Sequence, residues 1–324
     1  MTTVSVRSRC VRPAAHPSRL DNGRLGTLQP VCSAPDRPAP INSLTVDMED
    51  YFHCEVFART IRPRRWHTCS DRLALTIPSM LEMLAGCNVR ATFFVLGWVA
   101  RRYPRLVRQV ADAGHEVASH GYWHQHLSRM TPTGLRQDLQ ASRRALEDIV
   151  AAPVIGYRAP TFSLTRRTAW AAELVVEQGF AYDSSVFPIY HDRYGVPEAP
   201  GEPWWLETKS GRLLELPPLT FGSSRLKLPA AGGGYLRLLP ACLVRGAIRW
   251  ANARGRPAVL YVHPWELDPL QPRPPVGWLA RRRHYGGLSR MRSRLTCLLA
   301  AYHFRPMAEL AAQQWPICRR RGRL

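Results

Sequence analysis

Short apolar segments alternate with longer amphipathic segments between residues 41 and 262. Residues 89–96 form an almost continuous apolar run, typical of a strand covered on both faces, whereas the apolar positions of 71–85 recur with the period of a helix. The predicted strands are 41–46, 89–96, 115–119, 154–157, 180–182, 213–216 and 258–262. The predicted helices are 71–85, 101–113, 131–149, 165–178 and 239–253. Strands that alternate with helices predict an α/β fold with a parallel sheet.

Chemically active side chains follow the ends of the predicted strands. They are Asp47, Glu49, Asp50, His120, His124, Arg158, Asp183 and His263. Because the carboxyl ends of parallel strands share one edge of a sheet, we expect these side chains to converge there. Each one singly also fits an ordinary role, such as a helix cap, a surface ion pair or a core histidine. Their shared position at strand ends favours an active site.

His120 and His124 are separated by Gly-Tyr-Trp, so the two imidazoles can point the same way on a helical turn or a tight loop. Neutral imidazole is the commonest ligand of zinc-like metals, and the pair therefore predicts half of a metal site. Since the chain contains 11 histidines, such a pair can also arise by chance. The surrounding residues decide between these interpretations.

The basic charge of the chain is concentrated at its two ends. The formal net charge is +21; residues 1–40 carry six Arg against Asp21 and Asp36, and residues 281–324 carry eleven Arg against Glu309. Such ends could contact nucleic acid, anionic lipid or acidic polysaccharide. Because Arg replaces Lys almost throughout, we interpret the excess as composition bias and expect no nucleic-acid partner. Residues 1–40 are rich in Pro, Arg and Ser without a hydrophobic period, which predicts a disordered segment.

The sequence predicts a reduced, cytoplasmic protein without a membrane span. Its eight cysteines contain no C-x-x-C pair, and no run of 18 apolar residues is present. The first twenty residues lack the apolar core of a secretory signal. Residues 288–303 form a basic amphipathic helix, which we expect to pack on the domain; the alternative is peripheral association with a membrane surface.

The order of these strand-end residues resembles a known family. The segments Thr45-Val-Asp47-Met-Glu49, His120-Gly-Tyr-Trp-His124, Arg158-Ala-Pro160, Asp183 and Leu260-Tyr-Val-His263 are similar to the five motifs of the NodB-like polysaccharide deacetylases, carbohydrate esterase family 4. Three further features are Asp50-Tyr-Phe-His53, Gly232-Gly-Gly-Tyr235 and His263-Pro-Trp-Glu266. With the basic C-terminal helix, they are more similar to the subgroup encoded with exosortase (PEP-CTERM) and exopolysaccharide genes, whose members carry a C-terminal extension of unknown function.

The resemblance implies a distorted (β/α) barrel over residues 41–270, with residues 271–324 packed on it as the extension. It also implies one divalent metal ion, usually zinc, held by His120, His124 and a carboxylate. The family often has two adjacent aspartates at the first motif, the first as base and the second as ligand, whereas here Met48 follows Asp47. An acid-x-acid arrangement would make Asp47 the base and Glu49 the ligand, and Asp50 is the rival ligand.

The remaining roles follow from the same resemblance. Arg158 would orient Asp47, His263 would donate a proton to the departing amine, and Asp183 would hydrogen-bond the His263 imidazole. The backbone N–H of Thr161, just after Pro160, would stabilise the oxyanion. Tryptophans that could stack on sugar faces, or simply pack, are Trp123, Trp204, Trp205 and Trp265.

The expected function is metal-dependent removal of N-acetyl groups from an amino-sugar polysaccharide, or from its lipid-linked oligosaccharide precursor, in exopolysaccharide biosynthesis. One alternative is a hydrolase of a small non-peptide amide on the same scaffold. Another is a non-catalytic protein that binds glycan or nucleic acid through the Arg-rich ends. A metalloprotease is disfavoured because Gly121 stands where the glutamate beside the first histidine is expected. The sequence predicts no oligomeric state.

Overall fold

The computed structural model describes residues 29–30, 41–191, 193–223 and 226–315. The strands of this described part are β1 (Gln29–Pro30), β2 (Ser43–Met48), β3 (Thr92–Val95), β4 (Glu116–Ser119), β5 (Gly156–Tyr157), β6 (Tyr182–Asp183), β7 (Trp204–Thr208), β8 (Gly211–Glu215), β9 (Thr220–Gly222), β10 (Lys227–Pro229) and β11 (Val259–Val262). The α-helices are α1 (Leu73–Gly86), α2 (Gly97–Arg102), α3 (Pro104–Asp112), α4 (Pro132–Val150), α5 (Ala171–Glu177), α6 (Gly233–Leu238), α7 (Ala241–Asn252), α8 (Trp278–Tyr285), α9 (Leu288–Ala301) and α10 (Met307–Gln314).

Nine of the described strands form one curled sheet, in the order β1-β7-β8-β6-β5-β4-β3-β2-β11. The pairs from β11 through β2, β3, β4, β5 and β6 to β8 are all parallel, whereas β7 and β1 pair antiparallel at the far edge. Strands β9 and β10 form a separate antiparallel pair. This curled, mostly parallel sheet with helices around it confirms the predicted α/β class and distorted-barrel type.

The local sequence explains why the central elements form where they do. Every residue of β2 and β3 is buried, as expected for strands covered on both faces. Helix α4 begins after Thr131, whose hydroxyl accepts a hydrogen bond from the Gly134 N–H at 3.1 Å, and Pro132 occupies its first turn. It ends at Ala151, which adopts the left-handed conformation with φ 53°.

Some elements differ from the predictions. The single helix expected over 101–113 is divided into α2 and α3 at Tyr103, because Pro104 begins a new helix and leaves no N–H to continue the old one. The strand expected at 213–216 is one arm of a hairpin whose other arm, β7, was not predicted. Helices α6, α8 and α10 were not predicted either, because each is short and only partly amphipathic.

The C-terminal helices are packed onto the sheet. The apolar residues of α9 expected to face the domain are buried, namely Leu288, Met291, Leu295, Leu298 and Leu299. That face is therefore unavailable to a membrane. Helix α10 lies at the amino-terminal end of the sheet, where the Met307 N–H donates to Thr92 Oγ1 at 2.7 Å and the Ala308 N–H donates to Glu116 Oε2 at 3.0 Å.

No helix among the described residues has both the length and the hydropathy needed to cross a bilayer. The predicted disorder of residues 1–40 concerns a segment that, apart from 29–30, lies outside the described residues. The boundary placed between 270 and 271 stays a prediction.

Candidate active site

The sheet register brings the predicted site residues to one edge. The Cα partners across neighbouring strands, in sheet order, are Met48, Val95, Ser119, Tyr157, Asp183 and Glu215. Glu49, His120 and Arg158 each come directly after one of these aligned positions. Strand β11 pairs Val262 with Val46, so His263 lies beside Asp47. Parallel strands with matched ends therefore produce the convergence that the sequence predicts.

Glu49, His120 and His124 form a compact cluster. Each offers one ligand atom, and these atoms all lie within 4.8 Å of one another. Glu49 and His120 are 3% and 2% exposed. The structure thus brings together the three residues that the sequence analysis named as metal ligands.

The tautomer of His120 suits a metal ligand. Its Nδ1 lies 2.8 Å from the backbone oxygen of Arg158, and a carbonyl oxygen can only accept, so Nδ1 donates and Nε2 keeps its lone pair. Burial lowers the pKa of His120 to about 4, although the nearby Asp47 charge opposes this. His120 is therefore a neutral imidazole with a free donor atom at neutral pH.

His124 and Glu49 face each other across the same point. His124 adopts the left-handed backbone conformation with φ 50°. Its Nε2 is 2.9 Å from Glu49 Oε2, yet this oxygen accepts no hydrogen bond of normal geometry from the described residues. Burial alone would raise the pKa of Glu49, but the charges of His124 and His263 outweigh it and hold that pKa well below its usual range. One buried carboxylate and two imidazoles fit a zinc-like divalent ion.

Asp50, the rival ligand, is occupied elsewhere. Its Oδ1 accepts a hydrogen bond from the Tyr51 N–H at 2.8 Å, and its Oδ2 accepts from the N–H groups of Arg72 and Leu73 at 2.7 and 3.2 Å. Both carboxylate oxygens therefore cap backbone N–H groups, one of them at the start of α1. The geometry favours Glu49 as the acidic ligand.

Asp47 and Arg158 form the predicted pair. Arg158 Nη1 donates to Asp47 Oδ1 at 2.6 Å, and both side chains are buried. The same guanidinium donates to Thr45 Oγ1 at 2.8 Å, and to the backbone oxygen and hydroxyl of Ser184 at 3.1 and 2.9 Å. Because these contacts fix the guanidinium, the carboxylate that it holds is fixed in turn.

His263 lies at the centre with a carboxylate on each side. Its Nε2 is 3.1 Å from Glu49 Oε1 and 3.9 Å from Asp47 Oδ2, and its Nδ1 is 3.3 Å from Glu266 Oε2. Burial would lower the pKa of His263, but the hydrogen bond with Glu266 and the negative charges of Glu49 and Glu266 outweigh it and raise that pKa to about 9. The imidazole is thus held in a form that can donate a proton.

The expected hydrogen bond between Asp183 and His263 is wrong. The Asp183 carboxylate instead accepts from the Ser185 hydroxyl at 2.5 Å, and that hydroxyl accepts from the Ala159 N–H at 2.7 Å. The physical reason is position: Asp183 ends β6, five strands away from β11, and its side chain meets Glu215 of the neighbouring β8. Asp183 therefore supports the segment that follows Arg158.

Asp183 and Glu215 are buried side by side on neighbouring strands. Burial raises the pKa of Asp183 to about 6, and burial together with the Asp183 charge raises the pKa of Glu215 well above its usual range. An unfolded aspartate titrates near pH 4 (about 3.9). Between these values the folded chain binds more protons than the unfolded chain, so the free energy of unfolding falls as pH rises through the window.

We expect Asp183→Asn to reduce that fall, because the amide keeps an acceptor for Ser185 but does not titrate. The measurement is urea unfolding of both proteins between about pH 4 and pH 7, where one linked proton changes the free energy of unfolding by at most about 1.4 kcal/mol per pH unit. Asp148→Asn, on the exposed face of α4, is the matched control. Parallel curves for wild type and Asp183→Asn would show that the pair does not titrate in this range.

Pro160 and Thr161 form the turn that follows Arg158. Pro160 begins a single turn of 3-10 helix, Pro160–Phe162, in which Thr161 and Phe162 both have positive φ, 58° and 50°. Non-glycine residues in this region are strained, and such strain is commonest at functional sites. Thr161 lines the same cleft as the Glu49–His120–His124 cluster.

The cluster lies in a cleft of about 1380 Å³. Of the predicted sugar-stacking residues, Trp265 is 6% exposed and its ring is stacked on those of His263 and His284, with centroids 5.1 and 4.2 Å apart. Trp123 is 45% exposed but lines a neighbouring groove of about 930 Å³ instead. Trp204 is fully buried in β7, so a sugar cannot stack on it.

Two family models match the chain. Residues 66–177 match the model described as polysaccharide deacetylase, and residues 184–312 match a domain of unknown function (DUF3473). The first match contains His120, His124 and Arg158. Residues 66–177 are therefore similar to polysaccharide deacetylases. The second match shows that the C-terminal helices recur with a shared pattern, whereas membership of the exosortase-associated subgroup stays a prediction.

Curated proteins named as deacetylases are similar to part of the chain. A peptidoglycan deacetylase of Helicobacter pylori is 31% identical over 123 residues, which is 37% of this chain and 41% of that protein. A chitooligosaccharide deacetylase of Bradyrhizobium sp. is 38% identical over 69 residues, which is 21% of this chain and 32% of that protein. The chain thus spans less than half the length of these curated relatives.

The likeness to a solved structure is wider. The crystal structure of a putative polysaccharide deacetylase from Mycobacterium smegmatis is 25% identical, with a TM-score of 0.58, and the match covers 92% of this chain and all of that one. The fold of the curled sheet with its C-terminal helices therefore recurs in another protein.

Glu266 is a residue of the candidate site that the sequence analysis missed. Its Oε2 also accepts from the His263 N–H at 2.9 Å, and its Oε1 accepts from the buried Arg237 at 3.1 Å. A signal was present in the sequence: a polar residue followed three positions later by glutamate is typical of a helix N-terminus where the two side chains bond each other's backbone. His263 and Glu266 form such a capping box at Pro264–Leu267.

Proposed function

We propose that this chain is a metal-dependent deacetylase that removes N-acetyl groups from an amino-sugar polysaccharide or its lipid-linked oligosaccharide precursor, in exopolysaccharide biosynthesis. The observation that carries the proposal is the joint position of the Glu49–His120–His124 cluster, Asp47 and His263 at one strand-end edge. Relatives named as peptidoglycan and chitooligosaccharide deacetylases support acetylated glycans as the substrate class.

Glu49, His120 and His124 would hold the metal ion. When bound, a zinc-like ion polarises the amide carbonyl and lowers the pKa of a water molecule, which a poor electrophile such as an acetamide requires. Beside that site, Asp47 and His263 would move protons, and Arg158 would orient Asp47.

Asp47 would act as the general base. Its Oδ1 is bound by Arg158, and its Oδ2 points towards His263 at 3.9 Å, so one oxygen is held while the other faces the reaction space. A carboxylate in this position can take the proton of the attacking water. Arg158 supplies orientation because four donated hydrogen bonds fix its guanidinium.

His263 would act as the general acid. An amine leaves badly as an anion, so the C–N bond breaks when a proton reaches the nitrogen. His263 Nε2 faces the same space as Asp47, and Glu266 on Nδ1 keeps the ring oriented. The backbone N–H of Thr161, in the strained turn beside the cleft, would stabilise the oxyanion that forms on the carbonyl oxygen.

The size of the cleft favours a polymer over a small amide. Pockets for small molecules usually have volumes of roughly 300–1,000 Å³, whereas this cleft has about 1380 Å³. The cleft therefore has room for several sugar units beside the Glu49–His120–His124 cluster.

Acetate release after metal removal tests the proposal. We expect N-acetylated oligosaccharides to yield acetate with the purified protein, activity to be lost after dialysis against a chelator, and activity to return with zinc. His120→Ala is the matched variant: it should lose the bound metal and at least about 10³-fold in kcat/KM, since the metal supplies several kcal/mol of transition-state stabilisation. Full activity without metal, as measured by elemental analysis, would contradict the mechanism.

A further inference from the structure

The carboxylates that line the cleft all have partners. Asp47 is bound by Arg158, and Glu49 contacts His124 and His263. Glu55 pairs with Arg129 at 2.8 Å, and Glu266 pairs with Arg237 at 3.1 Å. The negative charge of the cleft is therefore already matched within the chain.

Four arginines that line the cleft are left over. Arg59, Arg62, Arg193 and Arg283 are exposed, and no carboxylate of the described residues lies within 4.0 Å of their guanidinium groups. Arg193 follows Asp192, which lies outside the described residues, so the proposal rests on the other three. We call Arg59, Arg62 and Arg283 the arginine rim.

The backbone that carries the arginine rim is well anchored. The turn that contains Arg59 is closed by hydrogen bonds from the N–H groups of Thr60 and Ile61 to the Phe57 oxygen, at 2.9 and 2.7 Å. Arg62 directly precedes a 3-10 helix, Pro63–Thr68.

Arg283 lies in α8, and that helix is fixed from inside the domain. The buried Arg237 donates to the backbone oxygens of His284 at 2.9 Å and Arg283 at 3.4 Å. The His284 ring contacts the Phe57 ring, with centroids 5.0 Å apart, so α8 adjoins the segment of Arg59. The segments that carry Arg59 and Arg283 therefore adjoin each other, and all three arginines of the rim line the same cleft.

We propose that the arginine rim binds anionic groups of the substrate, so that the glycan deacetylated here is acidic. This inference rests on the proposed function. Guanidinium groups bind carboxylates and phosphates through paired hydrogen bonds, and a cleft with surplus positive charge concentrates anionic ligands. The reacting acetamide is uncharged, so the anionic group belongs to a neighbouring sugar or to a phosphate at the end of the chain.

The role of the arginine rim is binding and not chemistry. No hydrogen bond joins its guanidinium groups to Asp47, Glu49 or His263 among the described residues. Loss of the rim should therefore raise KM for an acidic substrate while kcat stays nearly constant, and the preference should weaken in salt, since exposed charges are screened.

Three probes of matched length test the proposal: neutral chitohexaose, chitohexaose 1-phosphate, and an N-acetylheparosan hexasaccharide with alternating glucuronate. Acetate release and binding to the protein by calorimetry are both measured in about 20 and about 200 mM NaCl. Arg59→Gln/Arg283→Gln is compared with Arg105→Gln/Arg108→Gln, which removes the same charge from exposed positions of α3 away from the cleft.

We expect at least one anionic probe to bind about 5- to 50-fold more tightly than chitohexaose at low salt. The rim variant should lose this preference and the α3 variant should keep it; the anionic probe that is preferred distinguishes carboxylate from phosphate. Equal binding of all three probes, or equal loss in both double variants, would overturn the inference. If the anionic probes bind through the rim but no probe releases acetate, the proposed function fails while the rim remains an anion site.

Discussion

Asp47→Asn is expected to lower kcat/KM for acetate release by about 10³- to 10⁴-fold, the largest effect of any single substitution outside the metal ligands. The asparagine oxygen can still accept the hydrogen bond that Arg158 donates at 2.6 Å, so the packing of the buried pair is preserved. The amide cannot take a proton from water. The measurement is kcat/KM on an N-acetylated oligosaccharide, together with the metal content of the purified variant.

Metal content separates the two roles open to an acidic residue here. Asp47 lies outside the Glu49–His120–His124 cluster, so the Asn variant should bind the same amount of metal as wild type. Asp148→Asn serves again as a control for handling and folding. A variant that keeps more than about a tenth of wild-type kcat/KM would exclude Asp47 as the base.

His263→Ala is expected to lower kcat/KM by about 10²- to 10⁴-fold for an N-acetylated sugar, because the amine can no longer leave with a proton. For 4-nitrophenyl acetate the loss should be much smaller, since nitrophenolate leaves without protonation. The ratio of the two losses measures the acid role directly. Equal losses on both substrates would show that His263 acts by position alone.

Glu266→Gln completes this comparison. Glu266 contacts His263 Nδ1 at 3.3 Å, so its loss should reduce amide hydrolysis more than ester hydrolysis, in the same sense as His263→Ala but less strongly. Because Glu266 also pairs with the buried Arg237, thermal unfolding must accompany the kinetics. If only the unfolding temperature changes, Glu266 stabilises the fold and does not orient the His263 ring.

The sequence predicted most of the site because the site follows from strand order. Glu49, His120, Arg158 and His263 come directly after parallel strands, and strand register alone brings such positions to one edge. The alternation of apolar runs with helical periods was enough to locate those strands. The resemblance then supplied roles that spacing could not.

The errors concern contacts that depend on side-chain direction. The carboxylate beside His263 is Glu266, three residues away, and not Asp183 of β6. Asp183 and His263 both lie at the same edge of the sheet, but five strand positions separate them. Which tryptophan faces the cleft also depends on side-chain direction. Trp265 is stacked against two imidazoles, whereas Trp123 lines a different groove.

Short elements were missed for another reason. Helix α10 has too few residues for a period to be recognised, and its formation depends on partners distant in sequence. Strand β7 pairs with its hairpin neighbour β8 but lies in a segment rich in Pro, Gly and Trp, which hides the strand pattern. The first two backbone N–H groups of α10, for example, donate hydrogen bonds to the side-chain oxygens of Thr92 and Glu116. Tertiary contacts of this kind are invisible in a local pattern.

The packing of α10 on the sheet has a practical consequence for the design of recombinant fragments. Met307, Leu310 and Ala311 are fully buried against Phe94 and Tyr182 of the sheet. A fragment that ends at residue 270 would lack α10. The apolar side chains that α10 covers, among them Phe94 and Tyr182 of the sheet that also carries the catalytic groups, would then be exposed to solvent. Expression boundaries should therefore extend through Trp315, even when only the chemistry of the opposite edge is of interest.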